Sequence, residues 1–205
     1  MNFLKWQRSA KPGLIVASLV AVLAAGVAAV LAGGDFAGRI PAVADRATRL
    51  QSTIEDVAAR WPKQRHITPQ DLAHLMREDA AVIFDVRAPE EYAVSHLAGA
   101  NRVDAGITRA AFLSENASAL NGKLAVFYCS VGVRSSKLAE RIGDAAFKAA
   151  GATGSANLAG GIFAWHGEQR ALVDAKGTTP FVHGYDPTWS QLISRQELIV
   201  NDAKK

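Results

Sequence analysis

The distribution of apolar and polar positions divides the chain into three stretches of different character. From Gly13 to Gly34 it reads GLIVASLVAVLAAGVAAVLAGG, with no charge anywhere. At about 1.5 Å rise per residue, some 18–20 apolar residues cover most of a hydrocarbon core of roughly 30 Å, so this run is expected to span a bilayer as one helix. Ile40, Val43, Ala47, Leu50, Ile54, Val57 and Trp61 then follow in alternating steps of three and four. That spacing places them on one side of an amphipathic helix, which Pro62 stops. From Arg65 onward helical and strand periodicities alternate, the mark of an α/β domain with a central, mostly parallel sheet flanked by helices.

Within that domain Thr68 and Pro69 suit the cap and first position of a helix whose apolar face is Leu72, Leu75 and Met76. AVIFDV (81–86) reads as a short buried strand, EEYAVSH as a short helix, ANRVD as a weak strand, and Thr108 to Leu120 as a helix closed by Asn-Gly. LAVFYC (124–129) is continuously apolar and is expected at the centre of the sheet. Ser135 to Ala150 is expected as one helix, with Leu138, Ile142, Ala145 and Ala149 turned inward and Gly151 as its stop. SANLA reads as the last strand, and GGIFAWHGE turns into a helix. In the tail, Asp186 and Pro187 fit the cap and first turn of a final helix that docks Trp189, Leu192, Ile193 and Ile199 on the domain. The expected organisation is a basic segment (1–12), a membrane span (13–34), an amphipathic linker (35–64), the α/β domain (65–172) and a C-terminal extension (173–205).

Charge bears on the first three of these. Lys5, Arg8 and Lys11 precede the span, and Arg39, Arg46 and Arg49 follow it, a near balance under the positive-inside rule. The first group lies closer and is joined by the terminal amine, which favours an inside N-terminus and an outside domain, periplasmic in a bacterium. A secretory signal is the competing reading. The run exceeds the usual 7–15 residues of a signal core, however, and the best cleavage triplet, Ala42 to Ala44, lies well past its end. An uncleaved single-pass anchor is therefore expected. For residues 40–61 the alternatives are a connector lying on the membrane or on its own domain, and a short coiled coil holding a homodimer. The flanking positions lack the opposite-charge pairs that would support the coiled coil.

With 49% hydrophobic and 20% charged residues the composition is that of an ordered globular protein. The net charge of +4 is not gathered into a basic patch, so nucleic acid is not an expected partner. Five histidines and one cysteine show no metal-ligand spacing, and neither a metal nor a cofactor is expected.

That one cysteine, Cys129, ends the central strand and opens the loop CSVGVRSS. Ligands of open α/β sheets sit beyond the carboxyl ends of strands, where loops lead into helices. Successive backbone N–H groups curling toward one point make an anion nest, and both the nest and a helix N-terminus favour thiolate over thiol. Gly132 gives the backbone the freedom to turn its N–H groups inward, Arg134 adds a fixed positive charge, and Ser135 and Ser136 add hydroxyls. A lowered thiol pKa is the expectation.

CSVGVRSS resembles the active-site loop of single-domain rhodanese-type sulfurtransferases, C-x-x-G-x-R-S. FDVRAPEEYAVSHLAGA resembles the family's D-V-R-x-x-x-E-[FY]-x-x-G-H-I-x-G-A, and LAGGIFAW its L-x-G-G-x-x-x-W. The resemblance covers roughly residues 65–172 and implies a three-layer rhodanese-like fold. It also implies that Cys129 takes up sulfane sulfur as a persulfide and passes it to a thiol or cyanide. Ser130, Val131, Gly132, Val133, Arg134 and Ser135 would then hold a small anionic sulfur donor. Two positions depart from the pattern: Ser95 stands where Gly usually precedes His96, and Asn101-Arg102 replaces a small apolar pair. Ser130 and Val131 are uncharged where efficient thiosulfate users often carry basic residues.

Asp85, Arg87 and Glu91 are expected to form a structural cluster in which Arg87 pairs with Glu91. His96 is expected as a hydrogen-bonded fold residue and Trp165 as a core anchor. Two rival functions stand beside sulfur transfer. A rhodanese-derived phosphatase or arsenate reductase would place five residues between Cys and Arg, where this loop has four. A non-catalytic sulfur-sensing or docking module would have no need of Cys129, Gly132 and Arg134 together.

Overall fold

The computed structural model describes residues 39–202, beginning in a long helix, α1 (Arg39–Arg60). Five strands, β1 (Arg65–Ile67), β2 (Ala81–Asp85), β3 (Asn101–Arg102), β4 (Leu124–Tyr128) and β5 (Gly154–Leu158), form a sheet of order β1-β5-β4-β2-β3 in which every pairing is parallel. Parallel neighbours require crossovers. These are supplied by α2 (Pro69–Arg77), α3 (Pro89–Val94), α4 (Arg109–Leu120), α5 (Val133–Ile142) and α6 (Asp144–Ala149), and α7 (Gly161–Gly167) follows the last strand. Thr68 closes a full capping box on α2: its Oγ1 accepts from Asp71 N at 3.1 Å while its own N–H reaches Asp71 Oδ2 at 3.0 Å.

All of β4 is buried, as an uninterrupted apolar strand between two helical layers should be. Its period of two sends Leu124, Val126 and Tyr128 to one layer, with Leu72, Ile162 and Trp165. Ala125, Phe127 and Cys129 go to the other, with Leu138, Ile142 and Phe147. On that second side Phe84, Phe112, Phe127 and Phe147 pack ring on ring, with centroids 4.9–5.8 Å apart.

Two expected helices take another form. The run Ser135–Ala150 is two helices, α5 and α6, parted at Gly143, whose φ of 88° no L side chain adopts readily. The break lets Asp144 open α6 and accept the Ser155 N–H of β5 at 3.0 Å. Among the described residues of the tail no α-helix forms. Asp186 does cap, accepting from the N–H groups of Thr188 and Trp189 at 2.8 and 2.9 Å, but only a 3-10 turn (Trp189–Leu192) follows. Ile193 leaves it in an extended conformation and is fully buried in the core, and Gln196 Nε2 takes up the carbonyls of Ser190 and Ile193. Burial of one isoleucine outweighs propagation of a short exposed helix. The tail also contributes a hairpin, β6 (Leu172–Asp174) with β7 (Gly177–Thr179), and a parallel pair, β8 (Val182–His183) with β9 (Ile199–Val200). None of these short strands, nor β1, has a readable alternation.

The helix α1 lies on its own domain. Leu50 packs against the core, and Val57 and Trp61 are buried. Trp61 Nε1 donates to Glu140 Oε2 at 3.0 Å. Among the described residues no helix is long and apolar enough to cross a membrane, and the expected span 13–34 lies outside them.

Candidate active site

Cys129 follows β4 directly, and its loop runs into α5 through Gly132, at φ 107°. A side chain there would be strained by that dihedral and would meet Asn157 Nδ2 at 2.9 Å. The Gly132 N–H points at the sulfur, 3.2 Å from Sγ. What turns the loop's N–H groups inward is α7. Ile162 N–H donates to the Cys129 carbonyl at 2.9 Å and Phe163 N–H to the Ser130 carbonyl at 3.1 Å, so the loop's carbonyls are tied outward to a helix N-terminus. Gly161, at φ 52°, makes this approach feasible, since a Cβ would fall 2.7 Å from the Ser130 oxygen and closer still to that of Cys129.

The cysteine is 1% exposed. Burial pushes its thiol pKa up, but this is outweighed by the Arg134 charge, the Ser135 amide and hydroxyl and the Gly132 amide, and the net direction is down. The hydroxyl proton of Ser135 has two takers, the sulfur and Asn157 Oδ1, the latter at 2.7 Å. Asn157 Nδ2 in turn lies 3.3 Å from His66 Nδ1, and His66 Nε2 lies 3.2 Å from the Trp61 carbonyl, a polar chain from the end of α1 to the loop. Nothing in the local sequence flags Asn157 or His66.

The loop residues have distinct placements. Ser130 is buried with its hydroxyl between Glu91 Oε1 (3.2 Å) and Arg134 Nη2 (3.0 Å). Val131 is buried in the core, and Val133 opens α5 half-buried against it. The expected pairing of Arg87 with Glu91 is not what forms. Glu91, 2% exposed, holds Arg134 in a two-point ion pair at 2.7 and 2.8 Å. It also accepts the Ala88 N–H at the start of α3. Arg87 curls back on Asp85, and both side chains are completely buried with Tyr128 Oη donating to Asp85 Oδ2 at 2.6 Å. The two clusters are thus separate: Asp85–Arg87–Tyr128 braces the strand ends, and Glu91–Arg134–Ser130 braces the loop.

His96 stacks on Tyr92 at 3.7 Å, with Nδ1 3.0 Å from the Tyr92 carbonyl, and Trp165 Nε1 donates to the Ala171 carbonyl. Both are fold residues, as expected. A cavity of about 660 Å³ opens at the amino ends of the strands, lined by Trp61, Arg65, Glu140, Asp144 and Ser155 among others. It holds no residue of the cysteine loop, which lies at the opposite, carboxyl end of β4. Among the described residues no group of three or more His, Cys, Asp and Glu could hold a metal ion.

Fold and site together define an α/β domain that presents a thiolate-favouring cysteine in an amide cradle at the carboxyl end of its central strand. Residues 68–168 match the rhodanese-like domain, and the chain carries a rhodanese-like domain over that segment. The probable adenylyltransferase/sulfurtransferase MoeZ of Mycobacterium tuberculosis is 34% identical over 114 residues, 55% of this chain and 27% of MoeZ. The uncharacterized protein slr1261 of Synechocystis is 29% identical over 99 residues, 48% of this chain and 50% of that protein. The chain thus spans about a quarter to a half of the length of these relatives. Among solved structures, thiosulfate sulfurtransferase from Pseudomonas aeruginosa aligns at 17% identity and TM-score 0.46 over 66% of this chain and 23% of that one. Human single-domain sulfurtransferase TSTD1 aligns at 27% identity and TM-score 0.36 over 49% and 93%.

Proposed function

We propose that the protein is a sulfurtransferase in which Cys129 carries sulfane sulfur as a persulfide between a donor and a thiophilic acceptor. The observation that carries this reading is the Gly132 N–H aimed at Sγ from 3.2 Å, with Arg134 bearing on the same thiol. A cradle of donors fixed in advance stabilises a sulfur anion without reorganising when the charge arrives. In the first half-reaction the thiolate attacks the outer sulfur of the donor, a new S–S bond forms, and the old one breaks with its electron pair leaving on the donor fragment. In the second, a thiolate or cyanide attacks the outer sulfur of the persulfide and restores Cys129 as thiolate. No oxidant is consumed. The rival phosphatase or arsenate reductase reading is disfavoured by the loop, which places four residues between Cys129 and Arg134 where those enzymes place five.

Mass spectrometry of the full-length protein after incubation with thiosulfate or a polysulfide is expected to show a gain of one sulfur atom on Cys129. Cys129→Ser should gain none. Turnover of phosphate esters with no sulfur gain would overturn the assignment, as would full biological function in Cys129→Ser, which would point to a docking module.

The same proposal places the protein at a membrane, through the uncharged run 13–34, with the domain on the periplasmic side. Homodimerisation through residues 40–61 would have to use the part of α1 around Ala47, which is exposed, since Val57 and Trp61 are spent on the domain. A reporter that is active only outside the cytoplasm, fused at Lys205, is expected to be active and to sediment with membranes. An inactive or soluble fusion would reverse the orientation or remove the anchor.

A further inference from the structure

Beyond the matched segment, the C-terminal extension brings one side chain to the catalytic loop. The β8 strand lies against α3, the helix that carries Glu91, and Tyr185 follows two residues later. The Tyr185 ring covers the Arg134 guanidinium, 4.5 Å from Cζ to the ring centroid. At 44% it is the exposed large hydrophobic residue among those described.

Its backbone is unusual as well. Tyr185 sits at φ 68°, a conformation that bulky residues rarely take and that persists only where the surroundings enforce it. They do so here: the Tyr185 N–H donates to Nδ1 of the buried His183 at 2.9 Å, and Gly184 is pressed between Ile199 and Ser190, where a Cβ would lie 3.0 and 3.1 Å from them. An exposed aromatic ring held in a strained conformation over the loop's one cation is a built feature of the mouth.

The ring adds to what already engages Arg134. Both terminal nitrogens bond Glu91, one of them also meets Ser130, and a face of the guanidinium is stacked. The neighbouring loop residues Ser130, Val131 and Val133 carry no charge. A small dianion must shed its hydration to reach a buried sulfur, and the loop's one cation is already shared with the Glu91 carboxylate. A donor whose transferable sulfur hangs on a carbon chain has no such requirement and gains contact with an aromatic surface.

We infer that Tyr185 selects the sulfur donor, making the site prefer a persulfide borne on an organic chain, R–S–SH, over a small dianion such as thiosulfate. This rests on the sulfur-transfer reading above. The exchange balances as Cys129–S⁻ plus R–S–SH giving Cys129–S–SH plus R–S⁻, with the donor's S–S bond broken and its electron pair leaving on R–S⁻.

The test measures the rate at which Cys129 in the full-length protein gains sulfur from glutathione persulfide and from thiosulfate, in the wild type, Tyr185→Gly and Tyr185→Phe. Glycine removes the ring and relieves the dihedral, so folding is spared. Loading from glutathione persulfide is expected to fall roughly five- to tenfold in Tyr185→Gly while loading from thiosulfate holds or rises, and Tyr185→Phe should keep the wild-type preference. Equal changes for both donors, or no change, would overturn this inference alone. A wild-type protein loaded by neither donor would overturn the sulfur-transfer reading beneath it.

Discussion

Gly161→Ala is expected to lower stability by on the order of 4 kcal/mol, roughly 10 °C in melting temperature, and to abolish sulfur uptake by Cys129. The added methyl has no free volume. It would lie against the carbonyls of Cys129 and Ser130, backbone atoms that cannot swing aside, and the residue would remain at φ 52°. Relief requires α7 to retreat, which breaks the bonds from Ile162 and Phe163 to those two carbonyls and releases the loop. Without them nothing holds the N–H groups turned toward the sulfur. Thermal unfolding and persulfide mass spectrometry on the same preparation check both halves. A variant as stable and as active as the wild type would show that the loop holds its own shape and that the α7 contacts are incidental.

Arg134→Gln should act on the chemistry and the scaffold at once. Removing the charge that lowers the Cys129 pKa, while burial continues to raise it, moves the thiol upward. Because the thiolate is the nucleophile, the rise of alkylation rate with pH should shift to higher pH, and at neutral pH the variant should react more slowly. Glu91, meanwhile, is left buried without its partner, at a cost of about 3 kcal/mol, the low end for a broken buried pair because Arg134 is itself partly exposed. Burial raises the Glu91 pKa, and the hydrogen bonds and charge of Arg134, together with the Ala88 amide and Arg87, bring the balance below its ordinary 4.5. A depressed carboxylate contributes stability above its unfolded pKa that is lost as pH falls through the folded value. In the variant that contribution shrinks, so less stability should be lost between pH 7 and 4.5 than in the wild type. Iodoacetamide kinetics against pH and urea midpoints at pH 7 and 4.5 test the two effects separately. An unmoved alkylation profile would remove Arg134 from the account of the thiolate.

Most of the sheet was legible because its strands carry period-two or continuous apolar runs between helices with clear caps, such as Thr68 and Thr108. The sites of failure have a common cause. Local spacing suggested Arg87 with Glu91, four residues apart. Arg87, however, leaves β2 so tightly that its amide and Nε both reach Asp85, at 2.9 and 3.0 Å. That frees Glu91 for a partner forty-three positions away. The second glycine of LAGGIFAW was readable as part of a motif, while its reason, two carbonyls some thirty residues earlier, was not. Asn157, His66 and Tyr185 act on the loop from distant parts of the chain in the same way. Cys129, Gly132 and Arg134 were legible because they share one short segment with the strand that aims it.

The sheet's connectivity has a consequence for how the protein comes into being. Edge strand β1 is synthesised early in the domain, yet its Arg65 aligns with Ala156 of β5. The cysteine likewise leaves the ribosome before α7 and the tail exist to shape its loop. Through that interval nothing from α7 ties back the loop's carbonyls, and the donors gather around the sulfur only after α7 has been made.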